Sequence, residues 1–226
     1  MKTIVSSIAL ALAAIAALPA SAATVYSEDF ESGTAANFTG GTVTGSQGYT
    51  DYGYGNNLLR MADGGSTGST LTLNLGSGAT NATLNLSLAI IDSWDNGNYC
   101  CGPDQFSVTV DGHQKFATVF DNYLGQGANT DAGLTTQFYG KNVGFNGGFN
   151  DAGYGLTLAL GDLGAGTHTI QFTASGPGWQ GGDDESLGID NLSITATAVP
   201  EPASTTLLLA GLLGVGFMAR RRNQSN

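Results

Sequence analysis

Apolar and polar residues take turns along much of this chain, the period-two signature of strands with one face in a core. Leu71, Leu73 and Leu75 alternate with Thr72 and Asn74; Leu84, Leu86, Leu88 and Ile90 repeat the pattern. So do Phe106, Val108 and Val110, then Leu156, Leu158 and Leu160, then Ile170, Phe172 and Ala174. Asp111-Gly112, between Val110 and His113, offers the positive φ angles of a two-residue type I′ turn and predicts a hairpin. The run 161–166 predicts a longer turn between two antiparallel strands. Between the two ends of the chain no stretch keeps a helical period over about ten residues. Glycine pairs at 40–41, 64–65, 147–148 and 181–182 fall between predicted strands, where turns need them. The glycines therefore punctuate a fold instead of forming a low-complexity stalk. The expected class is all-β, an antiparallel β-sandwich.

The two ends follow a different logic. Lys2, an apolar run over 4–18 and Ala20-Ser21-Ala22 have the order of a secretory signal peptide, residues 1–22, cleaved before Ala23. At the other end Val199-Pro200-Glu201-Pro202 precedes an apolar run over 203–219 and then Arg220-Arg221-Arg222. As a helix that run would rise about 25 Å, slightly short of the roughly 30 Å hydrocarbon core, with the arginines held on the cytoplasmic side. A short transmembrane helix is expected there. Residues 23–198 remain as one domain, long enough for a full core, and residues 199–226 form a separate segment.

Charge changes once the ends are set aside. Of the 18 acidic residues only Glu201 lies outside the domain, whereas four of the seven basic residues do, Lys2 and the three terminal arginines. Arg60, Lys115 and Lys141 are left to balance the rest. A surface this acidic excludes nucleic acid as a partner, because phosphate contacts need lysine and arginine, and it suits solubility or cation binding. The two cysteines, Cys100 and Cys101, are adjacent. In an oxidising compartment they could close a small strained ring that stiffens one loop, or stay as free or intermolecular thiols; either way no framework of bridges holds the fold.

The C-terminal order of Val199-Pro200-Glu201-Pro202, apolar helix and arginine cluster resembles the sorting signal of PEP-CTERM proteins, which Gram-negative bacteria export and process with the membrane protease exosortase. The resemblance implies cleavage near Pro202 after an inner-membrane intermediate, signal peptidase and exosortase as partners, and a final place at the cell surface or outside the cell. The prolines around Glu201 keep that site extended, as a protease cleft requires. Two further stretches, Glu28-Asp29-Phe30-Glu31-Ser32-Gly33 and Leu187-Gly188-Ile189-Asp190-Asn191-Leu192, are similar to the first and last strands of jelly-roll domains related to carbohydrate-binding modules. That resemblance implies neighbouring terminal strands and a structural calcium held by Glu31 and Asp190, with Glu28 or Asp29 able to replace Glu31.

Strand phase bears on Asp190 separately. It shares parity with Leu192, Ile194 and Ala196, so an unbroken strand would aim its carboxylate at the core, where an unpaired charge is strongly disfavoured. A bound cation or backbone N–H donors could compensate; alternatively a bulge after Leu187 and Ile189 turns Asp190 outward. Asp183-Asp184-Glu185 lacks the pattern of an EF-hand loop and is expected to be a solvated acidic turn. No catalytic residues are assigned, since the chain has no paired-glutamate strand, nucleophile elbow or phosphate loop. Tyr49, Tyr52, Tyr54 and Asn56 combine rings that could stack on sugars with groups that could bond hydroxyls, and so are candidate polysaccharide contacts, unless the rings pack over the ends of the sandwich. The sequence thus predicts an exported, non-catalytic sandwich that binds polysaccharide; the alternatives are a purely structural matrix component and, behind it, a glycoside hydrolase.

Overall fold

The computed structural model describes residues 21–97, 101–122 and 127–198, with 211–213, 215, 216 and 220 of the C-terminal segment. The alternating stretches form strands that pair antiparallel in two sheets. The larger, seven-stranded sheet runs β3 (Thr42–Gly45), β4 (Asn57–Met61), β12 (Glu185–Ala198), β6 (Ala79–Asp92), β10 (Asp151–Leu163) and β9 (Leu134–Lys141), with β1 (Ala22–Glu28) beside the second half of β12. The five-stranded sheet runs β2 (Phe38–Thr39), β5 (Ser66–Leu75), β11 (Gly166–Ser175), β7 (Gln105–Val110) and β8 (His113–Val119). The chain is an all-β antiparallel sandwich, and its terminal strands β1 and β12 are hydrogen-bonded neighbours.

Alternation puts one side of each strand between the sheets. Leu71, Phe106, Val108, Ile170 and Phe172 of the smaller sheet share one core with Leu84, Leu88, Ile90, Leu156, Leu187, Ile189 and Ile194 of the larger. Each such side chain contributes about 1.5–3 kcal/mol on leaving water. Asp111 (φ 50°) and Gly112 (φ 78°) make the predicted turn, with Val110 paired to His113 across it. The run 161–166 behaves differently. β10 pairs with β6 and β9, and β11 with β5 and β7, so the connection crosses from one sheet to the other and closes no hairpin. Period two reports which face of a strand is buried; it carries no information about the strand's neighbour.

The second face of the larger sheet is also covered. From Leu86 to Asp92 every side chain of β6 is buried, whereas alternation predicts a half-buried strand. A 3-10 turn (Gln47–Tyr52) and residues 143–145 place Tyr49, Tyr54 and Phe138, with half-buried Tyr52, Val143 and Phe145, over Leu58, Ala89 and Ile91. Gly153 makes room for this roof, since a methyl there would lie within 2.8 Å of the Phe138 ring. Asp151 fastens the loop, accepting the Asp92 N–H at 3.0 Å and the Val143 N–H at 2.9 Å. Asp92 accepts the Asn146 N–H at 3.2 Å on Oδ1, while its buried Oδ2 has no partner among the described residues.

β12 is not an unbroken strand. Leu187 and Ile189 face the sandwich core, the register against β6 slips between Asp190 and Ser193, and Leu192, Ile194 and Ala196 then face the same core. Asn191, at φ 49°, absorbs the extra residue, a conformation Asn tolerates better than most. Its side-chain amide donates to Gly53 O at 3.0 Å and Ser87 Oγ at 3.3 Å. The bulge turns Asp190 to the roofed second face, so the unbroken phase that aimed it at the main core does not hold.

Asn191→Ala removes both donated bonds and the residue suited to that backbone, and should cost about 1–2 kcal/mol in denaturant unfolding. Burial, then the charge of Asp151, pushes the Asp92 carboxyl up to about 7. An unfolded aspartate releases its proton near pH ~4, so between there and about pH 7 the folded state holds the extra proton and stability falls as pH rises. Asp92→Asn should flatten the slope of Tm against pH in that window and raise Tm at about pH 8; an unchanged slope would refute this account of Asp92.

Candidate functional site

Of the four acids assigned to calcium by resemblance, the fold brings two together. β1 ends at Glu28, so Glu31 lies on the turn after the strand and not on it. That turn reaches Gly55, where an added methyl would collide with Glu31 Oε1 and stand 3.5 Å from Asp190 Oδ2. A side chain at Gly55 would therefore push the Glu31 carboxylate out of the place where the two acids meet. Asp190 is fully buried; Oδ2 accepts the Gly55 N–H at 2.7 Å and Oδ1 that of Asn191 at 2.6 Å. Exposed Glu31 accepts the Asn57 N–H at 2.9 Å on Oε1 and the Asn56 amide at 2.8 Å on Oε2. Burial, reinforced by the charges of Glu31 and Asp29, raises the Asp190 carboxyl to about 6 against the pull of its two N–H donors. The Asn56 amide, with the Asn57 N–H, holds Glu31 below the usual carboxylate range.

Glu28 and Asp29 serve the turn itself. Glu28 Oε1 accepts the Phe30 N–H at 3.0 Å and Asp29 Oδ1 the Glu31 N–H at 3.1 Å. With Ser27, Asn191, Leu192 and Ser193 they line a separate recess of about 290 Å³. The Glu31–Asp190 pair fits a hard cation in its chemistry: both groups are oxygen donors, both are anionic, and each oxygen keeps a lone pair beyond the N–H it accepts. Among the described residues no three His, Cys, Asp or Glu side chains converge on one point. Calcium at this pair would take the remainder of its roughly six to eight ligands from backbone oxygens and water.

The tyrosines are placed otherwise than expected. Tyr49 is 0% and Tyr54 5% exposed, so neither can lie against a glycan. Tyr49 stacks edge-on against Tyr54 at 5.1 Å and Phe138 at 5.2 Å, and its hydroxyl donates to Ile90 O at 3.1 Å. The physical reason is the roof: without these rings Leu58, Ala89 and Ile91 would face water. Tyr52 is half-buried with its ring 4.2 Å from that of Phe138, and exposed Asn56 gives its amide to Glu31.

A polar groove that no sequence motif announced lies beside β3 and β4. Gly41, Thr42, Thr44, Arg60, Ala62 and Asp63 line about 330 Å³. Arg60 donates from Nε to Ser186 Oγ at 2.9 Å and from Nη2 to Gly182 O at 2.7 Å, and its guanidinium stands 4.5 Å from the Phe145 ring centre. The residues come from two short segments that acquire meaning only when paired.

The acidic turn also departs from expectation. Asp183 is exposed and Asp184 half-buried, but Glu185 opens β12 and is fully buried. Cys101 is half-buried; Cys100, and with it the choice between a bond to Cys101 and separate thiols, lies outside the described residues.

The predicted signal peptide lies almost wholly outside the described residues, and Val199, Pro200, Glu201, Pro202, Arg221 and Arg222 lie outside them too. Positions 211–213, 215, 216 and 220 are helical, and Leu213 is 74% exposed. Among the described residues no helix is long and apolar enough to cross a membrane.

Residues 198–222 match the family model of the PEP-CTERM protein-sorting motif. No curated protein matches the chain. Among solved structures it is similar to the CBM27-1 of Caldicellulosiruptor saccharolyticus in complex with mannohexaose, at 15% identity and TM-score 0.44 over 76% of this chain and 96% of that one. It is also similar to TmCBM27, described for specific mannan recognition, at 12% identity and TM-score 0.45 over 78% and 99%. The CBM22-1 xylan-binding domain of Paenibacillus barcinonensis Xyn10C aligns at 14% identity and TM-score 0.40 over 79% and 97%. The motif begins at the residue where β12 ends, Ala198, so this chain is an all-β sandwich carrying a PEP-CTERM sorting motif directly on its last strand.

Proposed function

We propose that this chain is exported, trimmed by exosortase and displayed at the cell surface or in the extracellular matrix. In this reading its sandwich is non-catalytic, holds a structural calcium between Glu31 and Asp190, and offers the groove beside β3 and β4 to polysaccharide. The observation that carries the reading is the sorting motif at residues 198–222.

Strand pairing supports the processing part. Ala22 pairs with Thr197 and Ala23 with Ala196, so the expected signal-peptidase site and the sorting motif leave the sandwich side by side. Held by either end, the domain stands on one corner. The groove borders β4, which pairs with Leu187, Gly188 and Ile189 of β12, about 30 Å along the strand from Thr197. It therefore points away from the membrane during processing. Thr42, Thr44, Arg60 and Asp63 supply both donors and acceptors for sugar hydroxyls, in a volume at the lower end of ligand sites. Asp63 is the one acid among those lining residues, whereas glycoside hydrolysis needs two. The burial of Tyr49 and Tyr54 favours a second reading, a purely structural matrix component that binds no glycan.

In a host with exosortase, mass spectrometry of the surface or secreted protein should find it to end near Pro202, and Glu201→Ala should keep Arg220, Arg221 and Arg222. Recovery of those arginines on the exported wild type would overturn the processing. In affinity electrophoresis through xylan or mannan gels the protein should be retarded, and Thr42→Ala with Asp63→Ala should weaken that by about tenfold, as one to two lost hydrogen bonds imply. A wild type that runs unretarded gives way to the structural reading. Chelator should lower Tm, and Asp190→Asn should abolish the part of that loss that belongs to the Glu31 pair.

A further inference from the structure

A second group of acids lies at the opposite end of β12 from the sorting motif. Asp104, just before β7, and Glu185, the first residue of β12, are both 0% exposed. Asp104 Oδ2 accepts the Asp95 N–H at 2.7 Å, and Glu185 Oε1 accepts the Gln180 N–H. The other oxygen of each, Asp104 Oδ1 and Glu185 Oε2, is buried with no hydrogen-bond donor among the described residues. The two side chains are near enough to share a hydrogen bond when Glu185 is protonated, and the charges of Asp95 and Asp184 bear on the pair, although no third carboxylate joins it at ligating distance among the described residues. Asp184 is fixed there by Ser93, whose Oγ donates to its Oδ1 at 2.8 Å.

Among the described residues no basic side chain pairs with these acids. Arg60 spends its guanidinium on Ser186 and Gly182, and the ion pair among the described residues joins His168 to Asp111, in the other sheet. Two facing carboxylates whose inner oxygens lack donors need something between them, a proton or a metal ion, because a buried, unmatched carboxylate costs several kcal/mol. A single shared proton would settle one charge and leave those of Asp104, Asp95 and Asp184 unmatched. A divalent cation settles more, and oxygen-only ligands at neutral pH select calcium over zinc. Gly176 confines the place: an added methyl would collide with Pro103 O and stand 3.1 Å from Asp104 Oδ1.

We infer that Asp104 and Glu185 form a calcium site at the start of β12, independent of the Glu31–Asp190 pair, in which the ion ties the loop before β7 to the last strand. Two tryptophans report on it. Trp94 donates from Nε1 to Ser186 O at 2.9 Å, Trp179 immediately precedes Gln180, and their rings are 5.0 Å apart. Lanthanide ions that replace calcium are excited by energy transfer from such neighbours.

The test uses the full-length chain, purified in detergent and freed of metal with chelator, and terbium excited through tryptophan. Wild type should show saturable emission that calcium displaces, and calcium should raise Tm by roughly 2–4 °C. Glu185→Gln keeps an acceptor for Gln180 and offers an amide to Asp104, so it can fold without an ion. It should bind terbium about tenfold or more weakly, because ligand charge sets affinity in such sites. Asp104→Asn should behave alike, whereas Asp190→Asn should leave the emission unchanged. Loss of the signal in Asp190→Asn with its retention in Glu185→Gln would overturn the proposal and leave the other pair standing. A wild type without emission or calcium-dependent Tm would show that a proton bridges the carboxylates, and would overturn it as well.

Discussion

Asp190 sits buried at the bulge of β12, its two oxygens held by the N–H groups of Gly55 and Asn191, and this contact joins layers of the molecule that are distant in sequence. β12 is hydrogen-bonded along one edge to β6 and along the other to β4 and then β1. From Glu185 to Asp190 every side chain of β12 is buried, so this half of the strand has both faces covered. The bulge reconciles them: it lets Leu187 and Ile189 before it, and Leu192 and Ile194 after it, face the same core while Asp190 turns to the roof. Gly55 belongs to the segment that follows the 3-10 turn, so the carboxylate also fixes where that roof ends.

The same device recurs wherever the fold puts acids inside. Asp151 collects backbone N–H groups from Asp92 and Val143, and Asp104 collects that of Asp95. Backbone dipoles replace the basic side chains that the domain lacks, and they cost no additional charge. The supply ends at Asp92 Oδ2, Asp104 Oδ1 and Glu185 Oε2. Those three oxygens mark where a proton, or on the proposed reading a cation, would complete the structure.

Geometry also separates the tasks along the sandwich. The chain enters and leaves the sandwich beside Ala22 and Thr197, whereas the groove, the tryptophan pair and the Asp104–Glu185 pair lie towards the other end of β12, a strand about 45 Å long. An ion tying the loop before β7 to Glu185 would stiffen that end without touching the corner where β1 begins and β12 ends. Both tryptophans are buried there and hydrogen-bonded to backbone carbonyls, of Ser186 and Asp63.

Much of this was legible in the sequence because it depends on neighbours along the chain. Alternation exposed β5, β6, β7, β10 and β11, Asp-Gly located the β7–β8 turn, and the proline-bracketed Glu201 with its apolar run and arginines identified the sorting motif. The rest depends on what packs across space. Whether Tyr49 meets a sugar or Ile90, whether Glu185 is solvated or sealed beside Asp104, and whether 161–166 closes a hairpin or crosses between sheets are settled by partners far along the chain or on the other sheet. Local pattern determines which face of a strand avoids water; only the assembled sheets decide what covers that face, and therefore which polar groups lose their solvent and must find another partner.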